Sequence, residues 1–237
     1  VNIRGLKRYA ADHCGLVPPP ECCEPTGKTI AIIGGGPSGL SAAYYLQQMG
    51  HQCTVFEHRK ELGGMLYYGI PNYRLPKERL AEDIQNILAT GVETKMNTCI
   101  GDGDGEISFK MLKENYDAVY ISIGAHTDKK LGIPGEDAKG VISAIQMLRD
   151  IGDGNPPDFT GKNVIVVVGG NVAMDATRSA IRLGAKNVSV MYRRRKADMT
   201  ALMDEIEAAI AEGAEILELH APQAIETNKK GHVTAMV

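Results

Sequence analysis

Gly34, Gly36 and Gly39 stand at the spacing G-x-G-x-x-G directly after the apolar run TIAII, and Glu57 follows 18 residues after the last of them. Each residue type suits one task in holding the pyrophosphate and ribose of an adenine dinucleotide. Gly34 permits a tight turn. Gly36 lets the backbone approach a pyrophosphate lying on a helix N-terminus and its unpaired N–H groups. Pro37 and Ser38 open that helix, Gly39 lets it pack closely on the strand, and the Glu57 carboxylate can accept both ribose hydroxyls. The glycines alone would say little; strand, helix and acid in register make the reading. On these residues, FAD and NAD fit equally well.

The device recurs with different chemistry at its end. The second copy reads Val168-Gly169-Gly170-Asn171-Val172-Ala173 where G-x-G-x-x-A belongs. Gly170 is the close-approach glycine and small Ala173 serves helix packing. Val168 replaces the turn glycine; a β-branched residue there is stiff, and strained if the turn needs a positive φ. The site is therefore expected to work in weakened form, with a purely structural second half as the alternative. Tyr192 falls 19 residues after Ala173, and Arg193 and Arg194 follow it. A guanidinium fork pairs with a 2′-phosphate that an acid would repel, so NADPH is expected over NADH. Arg195 and Lys196 receive no role.

Two different dinucleotides on one chain point to electron transfer. Hydride would pass between the two bound nucleotides, the cofactors carrying the reaction and the protein supplying geometry. No catalytic side chain is assigned, because no Ser/His/Asp or Cys/His nucleophile set is evident. His126 reads as a loop residue, and the six histidines have no metal spacing.

The elements that must position these residues alternate between strand and helix. The expected fold is α/β with two Rossmann-like βαβ nucleotide-binding domains, truncated. Residues 1–27 form an arm, 28–125 the first domain and 126–237 the second. Within the arm, IRGLKRYAADH is basic and amphipathic and is followed by three prolines. A helix is expected from about Lys77 to Thr90 and another from Ala201 to Glu212. Strands are expected at Val92 to Cys99 and at Asp117 to Gly124, the latter buried on both faces because it is apolar nearly throughout. The final stretch reads as strands joined by a Lys-Lys-Gly turn.

Composition bounds the partners. At 237 residues with net charge −3, the chain has room for a full core and no overall polyanion-binding signal, so no nucleic acid is expected. No run approaches the roughly 18–20 apolar residues that cross a bilayer, and no membrane association is expected. Five cysteines form no C-x-x-C pair. That count fits ordinary thiols in a reducing compartment, with Cys53 in the core, and a cytoplasmic location is expected. The chain starts at Val1 and stops at Val237, and both ends read as cut.

Beyond the motifs, Gly34-Gly35-Gly36-Pro37-Ser38-Gly39-Leu40, Gly63-Gly64-Met65-Leu66 and Gly69-Ile70-Pro71-x-Tyr73-Arg74-Leu75-Pro76 resemble the small (beta) subunit type of glutamate synthase flavoproteins. These FAD/NAD(P)-dependent oxidoreductases belong to the pyridine nucleotide-disulfide oxidoreductase-like superfamily. The resemblance extends equally to the flavin half of dihydropyrimidine dehydrogenase and to bifurcating transhydrogenases. It implies FAD at the first fingerprint, with Gly64, Met65 and Leu66 passing along the flavin and Arg74 near the isoalloxazine. Ile100, Gly124 and Ala125 join that cofactor-binding set. Gly124 closes, and Ala125 follows, a strand end that reads Ser-Ile-Gly where the family has Ala-Thr-Gly.

The resemblance further implies that residues 1–12 are the tail of a cluster domain whose [4Fe-4S] ligands lie upstream. A C-terminal Gly-Asp segment that completes the FAD site would lie downstream, so an isolated piece is expected to hold FAD weakly. The electron acceptor would be a large subunit or a fused domain. A ferredoxin:NADP oxidoreductase or transhydrogenase subunit and a non-catalytic nucleotide-binding module remain the alternatives.

Overall fold

The computed structural model describes residues 1–15 and 17–237, so that within the N-terminal arm Leu16 lies outside the described residues. The chain divides into two compact units: Val1–Tyr67 with Pro76–Gly124, and Tyr68–Leu75 with Ala125–Val237. The excursion of Tyr68–Leu75 into the second unit has no signature in the sequence periodicity.

The first unit opens with α1 (Ile3–His13), which buries no residue. Asn2 caps it, its side chain accepting from the Gly5 N–H at 2.9 Å. Then follow β1 (Thr29–Ile33), α2 (Pro37–Gln48), β2 (Gln52–Phe56), α3 (Met65–Tyr68), α4 (Lys77–Leu88), β3 (Glu93–Lys95), α5 (Phe109–Asn115) and β4 (Ala118–Ile121). The sheet is parallel in the order β3-β2-β1-β4. Two-residue alternation sends Ala31 and Ile33 of β1 into a cluster with Phe56 and Leu112, while Ile30 and Ile32 are also buried. Burying both faces is what a central parallel strand requires. Cys53 belongs to the same core, where burial pushes its thiol up to about 11 and leaves it inert.

The second unit contains α6 (Ala144–Gly152), β5 (Asn163–Val167), α7 (Asn171–Arg182), β6 (Asn187–Tyr192), α8 (Met203–Ala211) and β7 (Glu215–Glu218), followed by β8 (Ile225–Thr227) and β9 (Val233–Met236). β5, β6 and β7 form a parallel sheet in that order, with separate apolar clusters against α6–α7 and against α7–α8. β8 and β9 are an antiparallel hairpin. Its turn is fixed by Asn228, whose Oδ1 accepts from the N–H groups of Lys230 and His232 at 2.9 and 3.1 Å, and by Gly231 at φ 76°.

Several expectations need correction. The strand expected at Asp117–Gly124 is not buried on both faces: β4 is an edge strand, and Tyr120, Ile121 and Ile123 are exposed. An apolar run is common to a central strand and to an apolar edge, and its length cannot separate them. The strand expected at Val92–Cys99 is only three residues long, because Asn97 turns to φ 52° and leaves the ladder. The helix expected over Ala201–Glu212 starts at Met203, where the Asn171 side chain accepts the Leu202 N–H at 3.0 Å and holds the entry extended. The helix from Lys77 stops at Leu88, just before Gly91 at φ 101°. Among the described residues no helix is long and apolar enough to cross a membrane.

Candidate nucleotide-binding sites

The first turn hangs from both neighbours of β1. The Gly34 N–H donates to the Phe56 carbonyl of β2 at 2.8 Å. On the other side the Ser122 N–H, just past β4, donates to Ile33 O at 2.9 Å, and its hydroxyl donates to Ile33 O and Gly34 O at 2.9 and 3.1 Å. The serine of the divergent Ser-Ile-Gly strand end is thus a tie that the sequence reading passed over. Gly34 has φ 103°, and a Cβ there would lie 2.4 Å from the Ser122 carbonyl oxygen. A Cβ on Gly39 would come 2.0 Å from Gly34 O, so the close helix–strand approach admits no side chain.

Gly36 is the N-cap of α2 and no side chain caps that turn, which leaves first-turn amides for an anion. Glu57 is buried, and its carboxylate braces the turn: Oε2 accepts the Gly35 N–H at 2.8 Å and Oε1 the Arg59 N–H at 2.9 Å. His58 Nδ1 lies 2.9 Å from Oε1. A carboxylate has about four acceptor positions, and these three contacts leave about one for a ribose hydroxyl. Pro37 and Ser38 are exposed at the helix start, with the Ser38 and Tyr120 hydroxyls 3.1 Å apart.

Gly64 runs against this turn, and a Cβ on it would lie 2.8 Å from Gly36 Cα. Met65 and Leu66 follow in α3, both half-buried. Ile100 bridges to Ile107 and packs against the Ala31–Phe56–Leu112 cluster. Gly124 (φ 73°) and Ala125 are exposed at the point where the chain passes from the first unit to the second.

The second turn repeats the first, bond for bond, on its inner side. The Val168 N–H donates to Met191 O of β6 at 3.2 Å, as Gly34 does to Phe56. Ala201 donates to Gly169 O at 3.1 Å, as Gly63 does to Gly35 O at 2.8 Å. Gly170 is the N-cap of α7, again without a side-chain cap, and Ala173 is buried beneath it. Gly169 is buried, while Asn171 and Val172 are exposed. Arg193 and Arg194 are exposed just past β6, and among the described residues neither guanidinium has an ion-pair partner. Two free guanidinium forks beside an uncapped helix N-terminus fit a phosphorylated ribose. Arg195 and Lys196 instead serve the following turn through their backbones, Arg195 N to Asp198 Oδ2 at 3.2 Å and Lys196 N to Glu218 Oε2 at 2.9 Å.

Val168 adopts φ 94°, as the glycine pattern foretold. It survives there because β5 is an edge strand and the side chain is 54% exposed, whereas Gly34 faces β4. Val168→Gly should release roughly 1–3 kcal/mol of backbone strain and give back about 0.5–1 to glycine's unfolded freedom. We expect a net gain of about 1 kcal/mol, a Tm higher by roughly 2–4 °C in thermal denaturation. A lower Tm would show that the isopropyl group packs usefully.

Arg74 is placed in the second unit, beside α7. Its Nη1 donates to both oxygens of Asp175, at 2.9 and 2.8 Å, and its Nε lies 3.3 Å from Glu205 Oε1. Arg178 joins Glu205 and Glu212 at 2.6 and 2.8 Å. Arg182 and Arg178 together hold the Glu212 carboxyl down at about 2. Burial pushes the Asp175 carboxyl up, against the pull of Arg74. Sequence reasoning found Arg74 but none of its partners, which lie 101 or more positions away with no motif linking them.

The protein-family model for pyridine nucleotide-disulphide oxidoreductases matches residues 28–235. The chain is 40% identical to the NADP(+)-dependent formate dehydrogenase subunit beta of Moorella thermoacetica, over 99% of this chain and 36% of that one. It is 34% identical to the glutamate synthase (NADPH) small chain of Escherichia coli, over 100% of this chain and 52% of the other. The chain therefore spans between about a third and a half of these relatives' lengths. Among solved structures it resembles Mycobacterium tuberculosis FprA in complex with NADPH, with a TM-score of 0.71 and 20% identity over 85% of this chain and 62% of that one. That likeness is one of fold; the family match over both fingerprints shows that the chain belongs to the pyridine nucleotide-disulphide oxidoreductase family.

Proposed function

We propose that this chain is the electron-input part of a flavoprotein oxidoreductase, taking hydride from NADPH at the second fingerprint onto FAD at the first. The electrons then go on to a partner subunit or fused domain. The observation that carries the reading is the pairing of two like turns with opposite ends: Glu57 braced behind the first, Arg193 and Arg194 free beyond the second. The names of similar proteins agree, since a formate dehydrogenase subunit beta and a glutamate synthase small chain both work with NADP(H) and both are parts of larger enzymes.

When bound, the flavin supplies acceptance of a hydride as two electrons and their onward release. The chain's own residues bind and orient. Gly34, Gly36, Pro37, Ser38 and Gly39 admit the pyrophosphate to the α2 N-terminus, and Glu57 receives the ribose. Gly64, Met65 and Leu66 would hold the flavin beside that turn, with Ile100, Gly124 and Ala125 joining them. Gly169, Gly170, Asn171, Val172 and Ala173 do the same work for the donor. A second reading, a nucleotide-binding module without catalysis, is favoured by one observation, the strained Val168.

Stopped-flow mixing separates the readings. Full-length protein loaded with FAD should bleach on mixing with NADPH, faster than with NADH at equal concentration. No bleaching with either nucleotide would establish the binding module. Faster bleaching with NADH would overturn the role given to the two arginines.

A further inference from the structure

The side chains of β4 alternate between the two faces of the first sheet. Val119 packs against the cluster of Ala31, Phe56 and Leu112. Tyr120 pairs in register with Ile32, and it shares the opposite face with Ser122, two positions further on. That face lies against α2: a Cβ on Gly39, the third residue of the helix, would meet Ser122 Oγ at 2.7 Å and Ile32 Cγ2 at 3.1 Å. Two hydroxyls therefore leave one face of this edge strand and reach the first nucleotide turn at two points. Ser122 Oγ donates to the Ile33 and Gly34 carbonyls, and the Tyr120 hydroxyl lies 3.1 Å from that of Ser38. All of these residues belong to the first unit.

The two hydroxyls do different work. Ser122 holds the backbone of the turn, whereas Tyr120 touches a side chain that the turn presents. Burial does not account for Tyr120, which is 42% exposed. A phenyl ring would cover the same apolar surface, and only the hydroxyl reaches Ser38. Ser38 is the second residue of α2, beside first-turn amides that no side chain caps. Its hydroxyl has one proton and two acceptor lone pairs. When the Tyr120 hydroxyl donates to Ser38 Oγ, the serine proton is left for an anion at the helix start. An oxygen that accepts one hydrogen bond also donates its own proton more strongly.

We propose that Tyr120 is a positioning residue for FAD, donating to Ser38 Oγ and so turning the serine proton toward the cofactor's pyrophosphate at the start of α2. The proposal rests on the assignment of FAD to the first fingerprint. It ties the effect of Tyr120 to one partner. A tyrosine that merely supported β4 would cost the same affinity whether or not residue 38 carried a hydroxyl, and a double-mutant cycle separates the two cases.

The test uses full-length protein stripped of flavin, with the Kd for FAD measured by flavin fluorescence and the thermal transition as a control. Tyr120→Phe should weaken FAD binding about three- to tenfold, the loss of one neutral hydrogen bond. In a Ser38→Ala background the same substitution should leave the Kd nearly unchanged. Ser38→Thr keeps the hydroxyl, so in that background Tyr120→Phe should again weaken binding. The thermal transition should stay in place throughout, because both side chains are exposed. A Tyr120→Phe protein with the wild-type Kd overturns the proposal. An equal loss with and without the Ser38 hydroxyl also overturns it, since Tyr120 would then act without Ser38. A wild type that binds no FAD would sink the FAD assignment first, and the proposal with it.

Discussion

Gly34→Val, which copies into the first fingerprint the residue that the second carries at Val168, is expected to abolish FAD retention. It should also destabilise the protein by about 2–6 kcal/mol. Two costs add. A β-branched residue at φ 103° is strained by roughly 1–3 kcal/mol. Its Cβ would lie 2.4 Å from the Ser122 carbonyl oxygen and 2.9 Å from the carbonyl carbon, atoms of backbone that the Ser122 ties hold in place. Overpacking of that kind costs roughly another 1–3 kcal/mol. The sum is a large fraction of the roughly 5–15 kcal/mol that keeps a domain folded. Urea denaturation and the flavin absorbance of full-length protein after gel filtration measure both effects. A variant with wild-type flavin content, within about 1 kcal/mol of wild-type stability, would show that β4 yields to the side chain.

The same substitution is tolerated at Val168 because the sheets differ at that edge, and this contrast marks what was legible in the sequence. The glycine positions could be read because each answers a backbone demand that other residues meet badly, whether a positive φ at Gly34 or the contact distance at Gly39. The strain at Val168 was legible for the same reason. The helix from Lys77 could be read because its apolar residues share one face, of which Leu80 and Ile84 are buried. The edge position of β4 could not, since hydrophobicity reports that a strand is apolar but not which strands lie beside it. The Arg74–Asp175 pair and the passage of Tyr68–Leu75 into the second unit were equally hidden. They join residues far apart in the chain, and one sequence carries no record of such pairing.

Replacing Arg193 and Arg194 together by alanine is expected to weaken NADPH binding by roughly 10- to 100-fold and to leave NADH binding nearly unchanged. Hydrogen bonds to charged groups contribute about 1.5–3 kcal/mol each when buried, and each 1.4 kcal/mol is tenfold in affinity. Both side chains are exposed, so solvent screening sets the expectation below the sum of two such bonds. The arginines have no ion-pair partner among the described residues, so their removal leaves no buried acid uncompensated and the fold should be unaffected. The salt dependence of NADPH binding should also flatten, because two charges that attract the 2′-phosphate are gone. Binding constants for NADPH and NADH at two ionic strengths, with the thermal transition as a control, decide the matter. Equal weakening of both nucleotides would mean that Arg193 and Arg194 contact the shared pyrophosphate or ribose, and NADPH selection would then need another source.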